Sequence, residues 1–386
     1  MIRLHHCFTH FQKLGGVEGF LKQHRLRDPE FGLDSETLAF FEPETALPEK
    51  VSGLGLTGTS SIWTARNRMR TWRKAQDVSV ICYHNFWGSC FLHDLDGASR
   101  RIGLAHTHWP EERSTIRAQE GILDGILCVS DSLREVCLRE LPSLDERRVR
   151  TLPSPIEVPR SVEKRRVVDC EKPLQIGIVG RVSREQKRID LLPGLLEALK
   201  SCRGEFEFRI LGGGPQSAWL KSCLGNDSRV ALLGRLSGQA YWDALTGLDV
   251  ILFLSDYEGL PLGLLEAMAC GAIPVYPSIG SGGEAYVESV GPQLLYRQGD
   301  MEALALILES LSGLPQEERV QLMGRAFRAT EKHRGDRYWR EFSGFLKDIE
   351  EWPRISEVGG GRRTGVGDFL PFGLLARWAK WGVIRR

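Results

Sequence analysis

The chain has 386 residues, 42% of them hydrophobic and 26% charged, with a net charge of +1. That is an ordinary globular balance with room for two full cores, and its near-neutral charge gives no electrostatic case for nucleic acid as a partner. Nine cysteines without a Cys-x-x-Cys pair argue for reduced, buried thiols rather than zinc or disulfides. No stretch approaches the ~18 apolar residues that a membrane span requires, and no basic-then-apolar leader opens the chain, so a cytoplasmic location is expected.

In chain order, Ile2 to Phe8 reads as a first strand. Gly15-Gly16-Val17-Glu18 then forms a turn into a helix over 17–25. Val78 to Asn85 and Arg101 to His108 both read as strands ending in histidine. Asp94-Leu95-Asp96 has the form of a metal and diphosphate ligand pair, but no matching strand precedes it, so it reads as a turn and no metal site is expected. Ile126 to Ser130 is a strand, and Asp131-Ser132-Leu133 opens the next helix. Pro153, Pro155 and Pro159, followed by Glu163-Lys164-Arg165-Arg166, mark a change of character. This divides an amino-terminal domain, 1–160, from a linker, 161–173, and a carboxyl-terminal domain, 174–334.

In the second domain, Leu174 to Arg181 is a short apolar strand ending in Gly180-Arg181, with Lys187 six residues on and a helical pattern of Ile189, Leu191, Leu192, Leu195, Leu196 and Leu199. Arg181 offers a planar fork and Lys187 a mobile point charge, a pair suited to a leaving diphosphate. Phe206 to Leu211 runs into Gly212-Gly213-Gly214-Pro215, and Arg229 to Leu233 into Gly234-Arg235-Leu236-Ser237. The glycine run lacks the lysine and hydroxyl of a Walker A loop and does not match Gly-x-Gly-x-x-Gly, so neither an ATPase nor a dehydrogenase is supported; it reads as a tight turn.

Val250 to Leu254 is then a strand buried on both faces. Glu258 and Gly259 follow it, with Pro261 as first helical residue and Gly271 as the stop. Eight residues of helix rise separate Glu258 from Glu266, roughly 12 Å, so the two carboxylates could hold opposite ends of one elongated ligand whose phosphates meet the unpaired amides of the helix start.

Glu258 with Glu266 resembles the Glu-x7-Glu motif of retaining glycosyltransferases of family 4, with the Gly180-Arg181 and Lys187 loop and the Gly15-Gly16-Val17-Glu18 loop in the expected order. The resemblance implies an α/β fold of two facing Rossmann-like domains, the GT-B architecture, with a deep interdomain cleft. It implies transfer of a sugar from a nucleoside-diphosphate sugar to a hydroxyl acceptor, a glycan or a lipid-linked molecule, in cell-surface polysaccharide or glycolipid synthesis, with no metal and no further cofactor. By the same resemblance Glu258, Gly259 and Leu260 hold the donor sugar and phosphate and Glu266 takes the ribose diol. Arg181 and Lys187 stabilise the departing diphosphate, Gly16, Gly180 and Gly234 line the nucleotide, and His106 lies beside the reacting centre. The family has a glycine after the second cation where this chain has Arg188, so Lys187 and Arg188 both remain candidates, as do His106 and His108. His5, His6, His10 and His84 remain candidates for the acceptor side, with a structural role preferred for each. The architecture also serves nucleotide-sugar epimerases, sugar phosphorylases and non-catalytic nucleotide-sugar-binding subunits.

Past Asp300 the pattern is helical, and by resemblance 335–352 crosses back onto the first domain. Gly359-Gly360-Gly361 opens a tail with six basic residues and one acidic, mixed with Phe369, Phe372, Leu374, Leu375, Trp378 and Trp381. Two readings stand for 359–386: an in-plane helix on the inner face of an anionic membrane, or a helix docked on the protein's own core.

Overall fold

A computed structural model describes residues 1–12, 15–43, 47–74, 77–92, 99–108, 112–159, 162, 171–355 and 365–375. Asp94, Asp96, Cys170 and residues 163–170 of the linker lie outside these. The chain divides into two compact units: Met1–His106 with Glu111–Leu152 and Tyr338–Arg386, and Thr107–Pro110 with Pro153–Arg337.

In the first unit β1 (Ile2–Phe8), β2 (Leu33–Ala39), β3 (Val51–Gly53), β4 (Val80–His84), β5 (Arg100–Ala105), β6 (Gly125–Cys128) and β7 (Val149–Thr151) form one parallel sheet in the order β3-β2-β1-β4-β5-β6-β7. In the second, β8 (Leu174–Val179), β9 (Phe206–Leu211), β10 (Val230–Gly234), β11 (Val250–Leu252), β12 (Ile273–Ser278) and β13 (Leu295–Arg297) form another, in the order β10-β9-β8-β11-β12-β13. The buried runs of β4 and β11 explain why these strands sit centrally with helices on both faces. Each order reverses once, at β1/β4 and at β8/β11, and in open α/β sheets ligands bind beyond the carboxyl ends at such switch points.

The helix Arg337–Glu351 belongs to the first unit. Tyr338, Trp339, Phe342, Phe345, Leu346 and Ile349, at helical spacing, join Leu4, Val80, Ile102 and Leu127 in one core. Gly125 accommodates it: a side chain there would meet Phe345 and Ile349. The compact units part at Leu152 and again after Arg337, so the boundary falls before the proline-rich stretch and not at 160. Cys7, Cys82, Cys128 and Cys137 are buried free thiols, whereas Cys223 is exposed, against the expectation that all would be buried.

Of the tail, the described part packs on its own unit. Phe372 and Gly373 donate their amides to the Ser60 and Gly58 carbonyls at 2.8 Å, and the Phe372 ring lies 5.8 Å from those of Phe41 and Trp87. Residues 376–386 lie outside the described chain.

One buried histidine makes a stability prediction. His333 bonds the Ser154 carbonyl through Nδ1 at 2.9 Å and the Tyr286 hydroxyl through Nε2 at 2.7 Å, and burial pulls its pKa down to about 4, with the Ser154 bond opposing. The folded state therefore excludes a proton that the unfolded chain binds below 6.5, so stability is full above 6.5 and falls until about pH 4. Each such residue contributes on the order of 3 kcal/mol across that window. Urea midpoints measured at pH 7.5 and 4.5 should fall steeply with acid, and His333→Gln should flatten part of the slope.

Candidate active site

Charged loops leave the carboxyl ends of β8 and β11 on either side of the second switch point. Gly180 follows β8 with φ 136°, and its amide donates to the Leu211 carbonyl at 3.0 Å. A side chain on Gly212 would collide with the Gly180 carbonyl, and the Gly212 amide donates to Gly234 at 2.7 Å. The glycine run after β9 is thus more than the expected turn: it lets the loops after β8, β9 and β10 lie backbone to backbone.

Lys187 ends this loop against Glu258. Its Nζ is 2.6 Å from Glu258 Oε1, and Gln186 Nε2 donates to Glu258 Oε2 at 3.3 Å and to the Tyr257 carbonyl at 3.2 Å. The Glu258 and Lys187 side chains are 6% and 16% exposed, so the ammonium compensates a carboxylate that burial alone would disfavour. Arg188 is placed otherwise. Its φ of 47° is the left-handed conformation that glycine adopts freely, which accounts for the family's glycine at this position. Its guanidinium is held on Asp256 at 2.8 and 3.1 Å, leaving Lys187 as the cation on Glu258. Arg181 is exposed and has no hydrogen bond or ion pair among the described residues.

After Glu258 the chain turns into a helix, Leu262–Ala269, with Pro261 as its N-cap and not, as expected from sequence, its first residue. The Gly259 carbonyl accepts from the Gly282 amide at 2.7 Å, and Leu260 is buried. Gly263 packs on Val179 at the end of β8: a side chain there would stand 3.0 Å from Val179 Cγ1. The first amides of this helix, which have no intrahelical acceptor, therefore start beside Gly180 and carry the positive end of its dipole. Beta strand, cation and helix start are brought together; Glu266 lies one turn further in. Its half-buried carboxylate accepts from the Tyr241 hydroxyl at 2.5 Å. Burial raises its pKa, and the Tyr241 bond opposes that rise. Tyr241, on the helix Gly238–Thr246, carries no motif that sequence reasoning could have used.

In the first unit, β5 ends at Ala105, so the strand does not continue to His108 and the two histidines do not share a strand face. His106 belongs to the first unit and donates its amide to Asn85 Oδ1 at 3.0 Å; Thr107 and His108 group with the second, where the His108 amide donates to the Glu258 carbonyl at 3.4 Å. The His106 ring meets His84, which meets His6, a cluster that also takes in Asp28 and His24. His6, His24 and Asp28 bring candidate ligating atoms within 4.8 Å, and those atoms are spent on hydrogen bonds inside the cluster. Gly16 starts the first helix, Gly16–Arg27, capped by the extended Gly15.

A cavity of about 410 Å3, lined by Glu171, Leu174, Arg203, Glu205, Glu309 and Arg319, opens at the amino-terminal ends of β8 and β9. Ligand sites of parallel sheets lie at the other end, so it is no part of the site.

Residues 173–313 match the family model described as Glycosyl transferases group 1. Among curated proteins the chain is 34% identical over 150 residues to the amylovoran biosynthesis glycosyltransferase AmsK of Erwinia amylovora, covering 36% of each. It is 28% identical over 254 residues to the putative colanic acid biosynthesis glycosyltransferase WcaL of Escherichia coli K12, covering 61% of this chain and 57% of the relative. The matches thus span between a third and somewhat over half of those relatives. Among solved structures, the lipopolysaccharide outer core galactosyltransferase WaaB aligns with TM-score 0.66 at 17% identity over 90% of this chain and 99% of that one. The pneumococcal O-GlcNAc transferase GtfA, in complex with UDP and GlcNAc, aligns with TM-score 0.73 at 11% identity over 91% and 99%. At such identities the likeness is one of fold. The protein is of the GT-B class, an α/β protein with two parallel sheets. Within its carboxyl-terminal domain, residues 173–313 are similar to the glycosyl transferases group 1 family.

Proposed function

We propose that this protein is a retaining, metal-independent glycosyltransferase that moves a sugar from a nucleoside-diphosphate sugar to a hydroxyl of a glycan or lipid-linked acceptor in cell-surface polysaccharide synthesis. The Lys187 and Glu258 pair beside a helix start at the switch point carries this reading, together with the unpartnered Arg181 one residue past Gly180. Two cations and a set of free amides suit a diphosphate leaving group without a metal. In this assignment Glu258, Gly259 and Leu260 orient the sugar phosphate. Glu266, fixed by Tyr241, takes the ribose, and Gly180 and Gly234 border the nucleotide. With no second carboxylate placed as a nucleophile among the described residues, the leaving phosphate takes the acceptor proton on the same face. The relatives' part in amylovoran and colanic acid biosynthesis supports a polysaccharide product. A panel of nucleotide sugars read by thermal shift tests the reading: a donor that binds the folded state raises the melting temperature, and no shift with any of them would refute it.

No helix among the described residues is long and apolar enough to cross a membrane. Contact with a membrane-borne acceptor is assigned to the tail. Trp63, Val366, Phe369 and Leu374 are exposed, the Trp63 and Phe369 rings lie 6.0 Å apart, and basic residues follow in the sequence. An apolar patch with basic residues following it in the sequence suits an anionic lipid surface. Deleting residues 359–386, or replacing Trp63 and Phe369 by serine, should abolish flotation with anionic liposomes; unchanged flotation would end the idea.

A further inference from the structure

Four side chains in the first unit, three of them buried and His106 half-buried, form a continuous line whose polarity is fixed at one end. His6 Nε2 lies 3.5 Å from Asp28 Oδ2, His6 Nδ1 lies 2.9 Å from His84 Nε2, and His84 Nδ1 lies 2.8 Å from His106 Nε2. The His84 and His106 ring planes are within 6° of each other, so their bond runs in the ring plane as an imidazole bond should. Phe20 stands edge-on to His24, His84 and His106, with centroids 4.5, 5.8 and 5.2 Å away, and shields the line. On its far side Asp28 accepts from His24 Nδ1 at 2.9 Å, and His24 Nε2 meets the Tyr338 hydroxyl at 2.9 Å.

We propose that the Asp28 carboxylate sets the tautomer of His6, His84 and His106 in turn, and so holds His106 as an Nε2–H imidazole whose Nδ1 is a bare acceptor. A carboxylate only accepts, so His6 must place its single proton on Nε2. His6 Nδ1 then accepts from His84 Nε2–H, and His84 Nδ1 accepts from His106 Nε2–H. The reverse order would set a lone pair against the buried carboxylate, which a charge-assisted bond disfavours by at least about tenfold. Burial, seconded by the neighbouring rings, keeps all three rings neutral near pH 7: His6 is pulled down to about 4, His106 to about 3, and His84 well below its ordinary value. Asp28 stays ionised despite its burial because His24 and His6 hold it well below the usual carboxylate range.

The consequence is a chemical preference. His106 Nδ1 takes a donor group, a hydroxyl, and rejects a phosphate oxygen; that the hydroxyl belongs to a sugar rests on the function proposed above, whereas the tautomer chain does not. Asp28, His6 and His84 are positioning residues.

The test is ring 15N chemical shifts of the full chain labelled at histidine, assigned by the resonances lost in His106→Gln, and needs no turnover. At pH 7.5 His106 Nδ1 should appear unprotonated and Nε2 protonated, and Asp28→Glu should keep that pattern. Asp28→Asn, whose amide can donate to His6 Nε2, should reverse the line and move the His106 proton to Nδ1. If Asp28→Asn does not fold, the wild-type shifts decide alone. A protonated Nδ1 in the wild type, or a folded Asp28→Asn with His106 unchanged, would overturn the inference.

Discussion

Glu258→Gln should lower the sugar-transfer rate by about 100- to 1,000-fold, the loss typical of removing one preorganised electrostatic partner from a reacting centre. Glutamine keeps the volume and one acceptor oxygen for Lys187, and Gln186, which loses its acceptor on this residue, still donates to the Tyr257 carbonyl, so the loop can stay in place. What disappears is the negative charge that Lys187 Nζ meets at 2.6 Å. Two consequences separate chemistry from folding. The buried Lys187 ammonium loses its counter-charge, which lowers stability modestly, and an unbalanced cation beside the helix start should hold nucleoside diphosphate at least as well as before. The measurement is kcat/KM for transfer with the melting temperature and nucleoside-diphosphate affinity alongside. Near-normal transfer would remove Glu258 from the assignment; transfer lost only because the variant melts at assay temperature would leave the residue merely structural.

Arg181→Ala should lose about 100-fold in kcat/KM with a stability change within about 0.5 kcal/mol. An exposed guanidinium with no partner among the described residues contributes nothing to the fold that alanine would remove, so any large effect has to come through a ligand. Its loss should weaken donor and nucleoside diphosphate alike, the opposite of the Glu258→Gln pattern. Lysine should rescue it poorly, since a point charge does not reproduce the planar fork on two phosphate oxygens. An Arg181→Ala enzyme with wild-type kcat/KM would show that the diphosphate is met elsewhere.

The strands that bear these loops were legible because they are apolar and short. Ile2 to Phe8 and Phe206 to Leu211 have the bounds their composition predicts, whereas the strand from Leu174 stops at Val179, before Gly180-Arg181. Others were hidden. β2 carries Asp34, Ser35, Glu36 and Thr37, yet Ser35 and Thr37 are buried, so it looks too polar for an inner strand. β12 contains Pro274 and Pro277, residues that ordinarily argue against a central strand. In the site, the spacing that marked Glu258, Glu266 and Lys187 is local and survives in one dimension. Whether Lys187 or Arg188 met the glutamate was not, because it turns on a single φ of 47°. Tyr241 and the histidine line escaped for a different reason: their partners are 22 to 78 residues apart for the rings and 25 for the phenol, and only strand pairing brings His6, opposite Cys82, within reach of His84.

The central claim is that an activated sugar lies at the carboxyl ends of β8 and β11 with its diphosphate against Arg181, Lys187 and the start of the Leu262–Ala269 helix. A crystal structure with the nucleoside-diphosphate sugar that gives the largest thermal shift tests it most directly. The account predicts phosphate oxygens within hydrogen-bond distance of Arg181 and Lys187 and a ribose diol on Glu266. A nucleotide bound instead in the cavity lined by Arg203, Glu309 and Arg319, with Arg181, Lys187 and Glu266 untouched, would contradict it.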